Sequence, residues 1–368
     1  MDNKKIFAIA AVAILATSAV LVIWYNTDND NDFEGIVDAR GRTVEVPTEI
    51  NSIICLNACA LRMVSYFDSI DKVIAVENYE KLGGAGGLYS LRLTYRLAFP
   101  ELKDLPDIGG DDTPEAIILA DPDIVFCTTI AVSELDNLQE KLGIPVFAIN
   151  ADLEFDDEKF FEQIAMMGNV LNEEDRATEL IDGIKGIIAD TKARTPTTAN
   201  AKTGYATGMQ GGSGSGLAKT SGDYLPFTYT NVQNVMPSSI AGVGKQPYAT
   251  TSEAIIAADP DYVFVDMNAS ACKADYDSWK ADGTGIENVT AFANGDVYST
   301  LIYKIYGTNW DNQLCNFYFV GKTVYPDLYA GIDPKQKAED IWRLFFQVDL
   351  DYDEVVAAQG MGFGKLIW

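Results

Sequence analysis

The side chains able to do chemistry here are five cysteines, 18 tyrosines, five tryptophans and 27 lysines and arginines, with no histidine in 368 residues. The missing histidine removes Ser-His-Asp and Cys-His catalysis, His-ligated zinc and the usual near-neutral proton shuttle. Cys55 and Cys59 are spaced C-x3-C, neither a metal-finger nor a redox spacing. Cys55 and Cys127 end apolar strand-like runs, where a thiol serves as a small buried hydrophobe. Cys272 and Cys315 could bridge, and an odd total leaves at least one thiol unpaired. The segment Gly208–Gly216 lets backbone approach a ligand but lacks the Lys-Ser/Thr of a phosphate loop, so it reads as a cleft loop. A net charge of −27, from 54 acids against the 27 bases, argues against nucleic acid and against a polybasic membrane-surface role. Its plain meaning is a solvated acidic surface.

Two glutamates stand at matching places in an internal repeat. Glu115–Cys127 (EAIILADPDIVFC) and Glu253–Val265 (EAIIAADPDYVFV) agree at ten of 13 positions, 138 residues apart. Each copy opens on a threonine able to cap a helix, Thr113 or Thr251. A short apolar helix follows, Asp-Pro-Asp stops it, and a β-branched and aromatic strand comes next. Two related α/β lobes are therefore expected.

The elements that position these residues alternate in the same way. In the first lobe, Ser52–Leu56, Lys72–Val76 and Pro145–Ile149 read as strands, Ala60–Phe67 as a helix, and Ser133–Leu142 as a helix closed by Gly143. In the second, strands are expected at Thr203–Thr207, Tyr262–Asp266 and Val297–Thr300, and helices at Asn312–Val324 and Pro334–Phe346. Strand–helix–strand order at this spacing calls for parallel sheets covered by helices. Between the lobes, Asp156–Val170 is amphipathic, and Asn172 can cap a second helix running to about Ala193. Some 20 helical residues make a strut of roughly 30 Å. The fold class is thus α/β, with two Rossmann-like lobes built on central parallel sheets and joined by one long rigid helix.

At the start of the chain, Lys4 and Lys5 precede an uncharged run, Ile6–Trp24, followed by Asp28, Asp30 and Asp32. The run exceeds a usual secretory core and approaches the ~20 residues that span a bilayer, so an uncleaved anchor is favoured over a cleaved signal. The charge asymmetry puts the remainder of the chain outside. The division expected is 1–25 signal or anchor, 26–34 tether, 35–155 first lobe, 156–194 interlobe helical segment and 195–368 second lobe.

From Asp38 onward the chain resembles the ABC-importer substrate-binding proteins for ferric siderophores, cobalamin and haem. The resemblance rests on DARGRTVEVPTEINSIICL (Asp38–Leu56), DLPDIGGDDTPEAIILADPDIVF (Asp104–Phe126), TSEAIIAADPDYVFV (Thr251–Val265) and GTNWDNQLCNFYFVGKTVYPDLYAGIDPKQKAEDIWRLFF (Gly307–Phe346). The ordered set, more than any single motif, carries it, and the closing stretch looks like the iron-complex-binding branch. The resemblance implies no catalysis, no cofactor and no protein-held metal. It implies a monomer at the outer face of the cytoplasmic membrane, partnered by a permease and its ATPase. One glutamate per lobe docks on the permease in that family, and the matching residues here are Glu115 and Glu253. The plain alternative is that both are ordinary first-turn acids.

In such folds the ligand sits on loops that follow the strands. Those loops carry Arg62, Tyr89, Arg92, Tyr95, Arg96, Tyr224, Tyr303, Lys304, Tyr306 and Trp310. Arg62, Tyr89, Arg92, Tyr95, Tyr224, Tyr303, Tyr306 and Trp310 are the ligand-binding candidates, because an anionic iron chelate wants cations and flat aromatic contact. The alternative for each is packing beneath its own loop. Absent histidine disfavours naked metal ions. A ferric siderophore or similar iron complex ranks first and a corrinoid second, with haem, or an anchored sensor of the same ligand, further down. An enzyme on a similar two-lobed fold would need a general base, commonly histidine.

Overall fold

The computed structural model describes residues 33–81, 93–109, 113–129, 131–210, 215–236 and 246–368. The N-terminal apolar segment, Tyr89 and Arg92 lie outside these residues. Among the described residues no helix is long and apolar enough to cross a membrane.

A hairpin of β1 (Phe33–Val37) and β2 (Thr43–Pro47) opens the described chain. The first lobe follows as a four-stranded parallel sheet in the order β4-β3-β5-β6, from β3 (Ile53–Leu56), β4 (Val73–Ala75), β5 (Ile124–Cys127) and β6 (Val146–Ala148). Its helices include α1 (Ala60–Val64), α2 (Thr94–Ala98), α3 (Pro114–Ala120) and α4 (Val132–Leu142). The second lobe centres on parallel β7 (Thr203–Thr207), β11 (Tyr262–Val265) and β12 (Val297–Ser299). Short antiparallel strands β8 (Lys219–Thr220), β10 (Tyr248–Ala249) and β13 (Gly364–Lys365) extend it, and β9 (Gln233–Asn234) pairs with β7.

Both faces of each parallel sheet are buried, and alternate residues part between two clusters. Ile53, Cys55, Phe126 and Phe147 join the core between the lobes, while Ile54, Leu56, Val125 and Val146 fill the outer face of the first sheet. In the second lobe Phe264 faces inward, and Val263 and Val265 face outward. The inner core is continuous from lobe to lobe. It takes in α5 (Glu158–Leu171), α6 (Glu174–Ala193), α11 (Trp310–Val324) and α12 (Pro334–Phe346), which follow α7 (Leu225–Thr230), α8 (Ser252–Ala258), α9 (Ala269–Ala281) and α10 (Thr290–Asn294) in the chain or precede them. The last helix is α13 (Tyr352–Gln359).

The repeated Asp-Pro-Asp has a structural task in both lobes. The first aspartate, Asp121 or Asp259, closes its helix in the left-handed conformation at φ 53 or 42. The second ties down the neighbouring strand. Asp123 accepts from Asn51 N (2.7 Å) and Ser52 N (2.9 Å) just before β3, and Asp261 accepts from Thr203 N (2.9 Å) at the start of β7. Thr251 caps α8 as expected, accepting from Ala254 N at 3.2 Å. Thr113 does not cap α3; its hydroxyl donates to the Ile108 carbonyl instead.

Three further expectations are corrected. Asn172 does not start α6 but ends α5, in the left-handed conformation an asparagine tolerates, and its amide donates to Thr48 O at 3.0 Å. The stretch Met267–Asp275, which follows β11 where a strand-end loop is expected, is largely helix α9. Its buried residues are Cys272 and Tyr276, a stripe too thin to announce a period. Cys272 and Cys315 do not bridge, since all five cysteines are free and buried and these two belong to different clusters.

Candidate functional site

The strand ends of both lobes converge on a cavity of about 800 Å³. The first lobe lines it with Asn57 and Ala58 after β3, Glu77, Asn78 and Tyr79 after β4, and Thr128 after β5. The second contributes Gln210, Gln246 and the segment Lys304–Thr308 after β12. Arg40, from the turn of the opening hairpin, and Asp152 also reach it.

Backbone strain concentrates here. Asn57 (φ 69), Cys59 (φ 76) and Tyr306 (φ 49) are all left-handed, a conformation costly for a thiol or a phenol side chain. Surrounding bonds hold it in place. Thr308 N donates to Cys59 Sγ at 3.1 Å, and Asn57 N donates to Glu77 Oε2 at 2.8 Å. Tyr306 donates its hydroxyl to the same Glu77 oxygen at 3.0 Å and stacks on Tyr79 with centroids 5.8 Å apart. Burial, aided by the Glu77 charge, holds the Tyr306 phenol well above its ordinary range. The Tyr79–Tyr306 pair thus joins one lobe to the other at the cavity wall.

Of the eight ligand-binding candidates chosen from sequence, Tyr306 alone among those described lines this cavity. Arg62, Tyr95, Tyr224, Tyr303 and Trp310, expected from sequence at the ligand, are buried beneath it, each at 1 % exposure or less. Arg62 donates to the carbonyls of Thr308 (2.6 Å), Ile305 (3.1 Å) and Tyr306 (3.2 Å), holding the far wall from below. Burial opposes its charge, but Cys59, Tyr66, Tyr95 and Asp311 more than compensate, so it stays protonated. Tyr95 donates to Glu80 at 2.6 Å, and Trp310 Nε1 donates to Leu153 O at 2.8 Å. Tyr224 and Tyr303 pack ring against ring. Loops fold back onto the interlobe core, so a loop aromatic there is as close to the core as to the cleft. Arg96 is buried as well, 3.7 Å from Glu80, and Lys304 lines the cavity while pairing with Glu154 at 3.1 Å.

Arg40, Tyr79 and the amides Asn57, Asn78, Gln210 and Gln246 were missed. Tyr79 follows β4 on the same strand-end stretch as Tyr89, and its position was the signal. The amides carry no such signal, since neither charge nor an aromatic ring marks them in sequence. Arg40 sits in a hairpin outside both sheets, where no strand-end rule looks.

Glu115 and Glu253 lie exposed in the first turns of α3 and α8. Hydrogen bonds from its own backbone N–H and from Thr251 hold the Glu253 carboxyl below the usual carboxylate range. Beside Glu115, Leu119 is 87 % exposed.

Two parallel-sheet lobes facing each other across a polar cleft, with helices crossing between them, are the architecture of the extracytoplasmic solute-binding proteins of ABC importers. Residues 89–301 match the periplasmic binding protein family, and the chain belongs to that family. Its members are extracytoplasmic transport components, not an enzyme class, and they serve a membrane permease and its ATPase. A periplasmic solute-binding protein of Veillonella parvula superposes with a TM-score of 0.67 at 17 % identity, covering 89 % of this chain and 98 % of its own. The molybdate-binding protein MolA of Haemophilus influenzae does so at 0.63 and 18 %, covering 86 % and 99 %. A protein of the Fe3+-hydroxamate transport system of Saccharomonospora viridis gives 0.52 and 18 %, covering 79 % and 99 %. No curated protein sequence matches the chain.

Proposed function

We propose that this protein captures a ferric chelate, most simply a trishydroxamate-type siderophore complex, and delivers it to an ABC permease. The observation that carries this reading is the cleft itself. A volume of about 800 Å³ lies in the range of small-molecule sites, roughly 300–1,000 Å³, and suits a preassembled chelate better than a bare ion. Its wall mixes amides and hydroxyls with the stacked tyrosines, groups that meet neutral oxygen-rich surface. Arg40 and Lys304 are accompanied by Glu77 and Asp152. That balance favours a complex of low net charge over polyanionic catecholate or citrate complexes. Similar folds that bind molybdate or Ni(II), or belong to an Fe3+-hydroxamate transport system, add support for a metal-containing cargo. Haem held by a tyrosinate is disfavoured, because the Tyr306 phenol already donates to Glu77 and is pushed up by burial.

Glu115 and Glu253 are the permease contacts in this reading, and Ile6–Trp24 holds the chain at the membrane. The test is calorimetric titration of the full chain in detergent with a ferric trishydroxamate, a ferric catecholate, ferric citrate, haem and cobalamin. Calorimetry is preferred to tryptophan fluorescence because Trp310 is buried away from the cavity. Micromolar or tighter binding of the ferric trishydroxamate, and not its metal-free form, is expected. Binding of cobalamin alone would replace the iron reading with the corrinoid one.

A further inference from the structure

The β1–β2 hairpin looks like an appendage to the first lobe, yet its turn is bound on every side. Buried Asp38 accepts from Arg40 N (2.9 Å) and Arg42 N (3.0 Å) through one oxygen. Its other oxygen accepts from Arg42 Nη1 (3.2 Å) and Ala148 N (3.3 Å), and Ala39 N donates to Ala148 O at 3.1 Å. Arg42 commits its whole guanidinium to the protein, donating to Val146 O (3.1 Å), Gln139 Oε1 (3.1 Å) and Asp136 Oδ1 (2.8 Å). Ala148 is the last residue of β6. The turn is therefore fastened over the carboxyl end of the parallel sheet, where the cleft opens.

Arg40, two residues away, does the opposite. Its side chain lines the cavity, its Nε is buried without a hydrogen-bond partner, and it forms no ion pair among the described residues. A buried donor left without an acceptor calls for an explanation, and this chain carries 54 acids from which an acceptor could have been drawn. The other cation of the wall, Lys304, is already matched by Glu154.

We propose that Arg40 is the residue that grips the chelate, its guanidinium donating to the anionic oxygens that ligate the metal. The planar fork matches the paired oxygens of a bidentate hydroxamate, which a point charge cannot do. Because Asp38 and Arg42 already hold the turn, little ordering remains to oppose binding. The assignment rests on the chelate reading above and adds to it the residue that does the holding.

The experiment titrates wild type, Arg40→Gln and Arg40→Lys, each as the full chain, with ferric desferrioxamine as the trishydroxamate probe. Loss of a charge-assisted, bidentate contact should weaken binding by about 10–100-fold in Arg40→Gln, with partial recovery in Arg40→Lys. The thermal midpoint should not move, since the side chain has no hydrogen-bond or ion-pair partner to lose among the described residues. Affinity of Arg40→Gln within twofold of wild type overturns the proposal. If wild type ignores this probe, the trishydroxamate reading fails by itself. Arg40 is then judged on whichever of the ferric catecholate, ferric citrate, haem or cobalamin does bind, by the same twofold criterion. Binding of none overturns both.

Discussion

Replacing Arg62 with methionine separates a residue that builds the cleft from one that touches the ligand. Arg62 is 1 % exposed, and its charge is met by the carbonyls of Ile305, Tyr306 and Thr308, by Cys59 Sγ at 3.2 Å and by the Tyr95 ring at 5.4 Å. Each hydrogen bond from a charged donor contributes about 1.5–3 kcal/mol net, but the three share one desolvation cost and do not add. Methionine restores much of the apolar stem and removes the buried charge, yet takes the charged donor away from all three carbonyls. Breaking one side of a buried charged network typically costs about 3–5 kcal/mol, and a value toward the lower end is expected here. Since the bonds run from α1 of one lobe to the cleft wall of the other, ligand affinity should fall along with stability. Equilibrium urea unfolding, with affinity measured on the same protein, provides the assay. A stability loss under about 1 kcal/mol, or an affinity loss with stability intact, would refute this reasoning and return Arg62 to the ligand-contact role expected from sequence.

Gly307 sits at φ 83, and a Cβ there would lie 2.1 Å from Cys59 Sγ. Gly307→Ala should therefore cost about 2 kcal/mol or more, and Cys59→Ala should recover part of it in a double-mutant cycle. Burial pushes the Asp266 carboxyl up to about 8, against hydrogen bonds from the Tyr303 and Lys304 amides and the nearby Lys304 cation. The folded chain thus holds a proton the unfolded chain releases near pH 4. This contribution is complete below that point and is lost as pH rises to about 8, with a slope of at most ~1.4 kcal/mol per pH unit; buried Glu80 and Asp311 act in the same sense. Asp266→Asn should flatten denaturant midpoints measured between pH 5 and 8, and an unchanged profile would count against the assignment. Alanine at both Glu115 and Glu253 should abolish uptake in cells while leaving calorimetric affinity as in wild type. All five thiols should resist a thiol reagent in the native state and react together after denaturation.

Much of the architecture was legible because it is local and periodic. The repeated EAII-x-ADPD carries its own helix stop, a left-handed Asp before proline, so the helix–strand unit appears in sequence much as it folds. Strands buried on both faces read as short apolar runs, and the spans expected for β7 and α12 coincide with those observed. Gly143 closes α4 as a left-handed cap at φ 66. Where local chemistry allows two outcomes, sequence alone does not choose between them. An asparagine between two helices suits the end of one as well as the start of the next, and Asn172 took the former role.

The site was decided at longer range. Tyr95, Tyr224, Tyr303 and Trp310 are aromatic residues that follow sheet strands, as Tyr306 is, yet four pack into the interlobe core and one reaches the cavity. Arg62 and Arg40 end in opposite surroundings. The first is consumed by carbonyls more than 240 residues away, and the second is delivered to the cleft by a hairpin fastened to β6. Side-chain type determines what an arginine can bind, and the periodic burial of short segments determines which strands and helices form. Which acceptors a given arginine meets depends on contacts between distant segments, and those exist only once both lobes have closed on their common core.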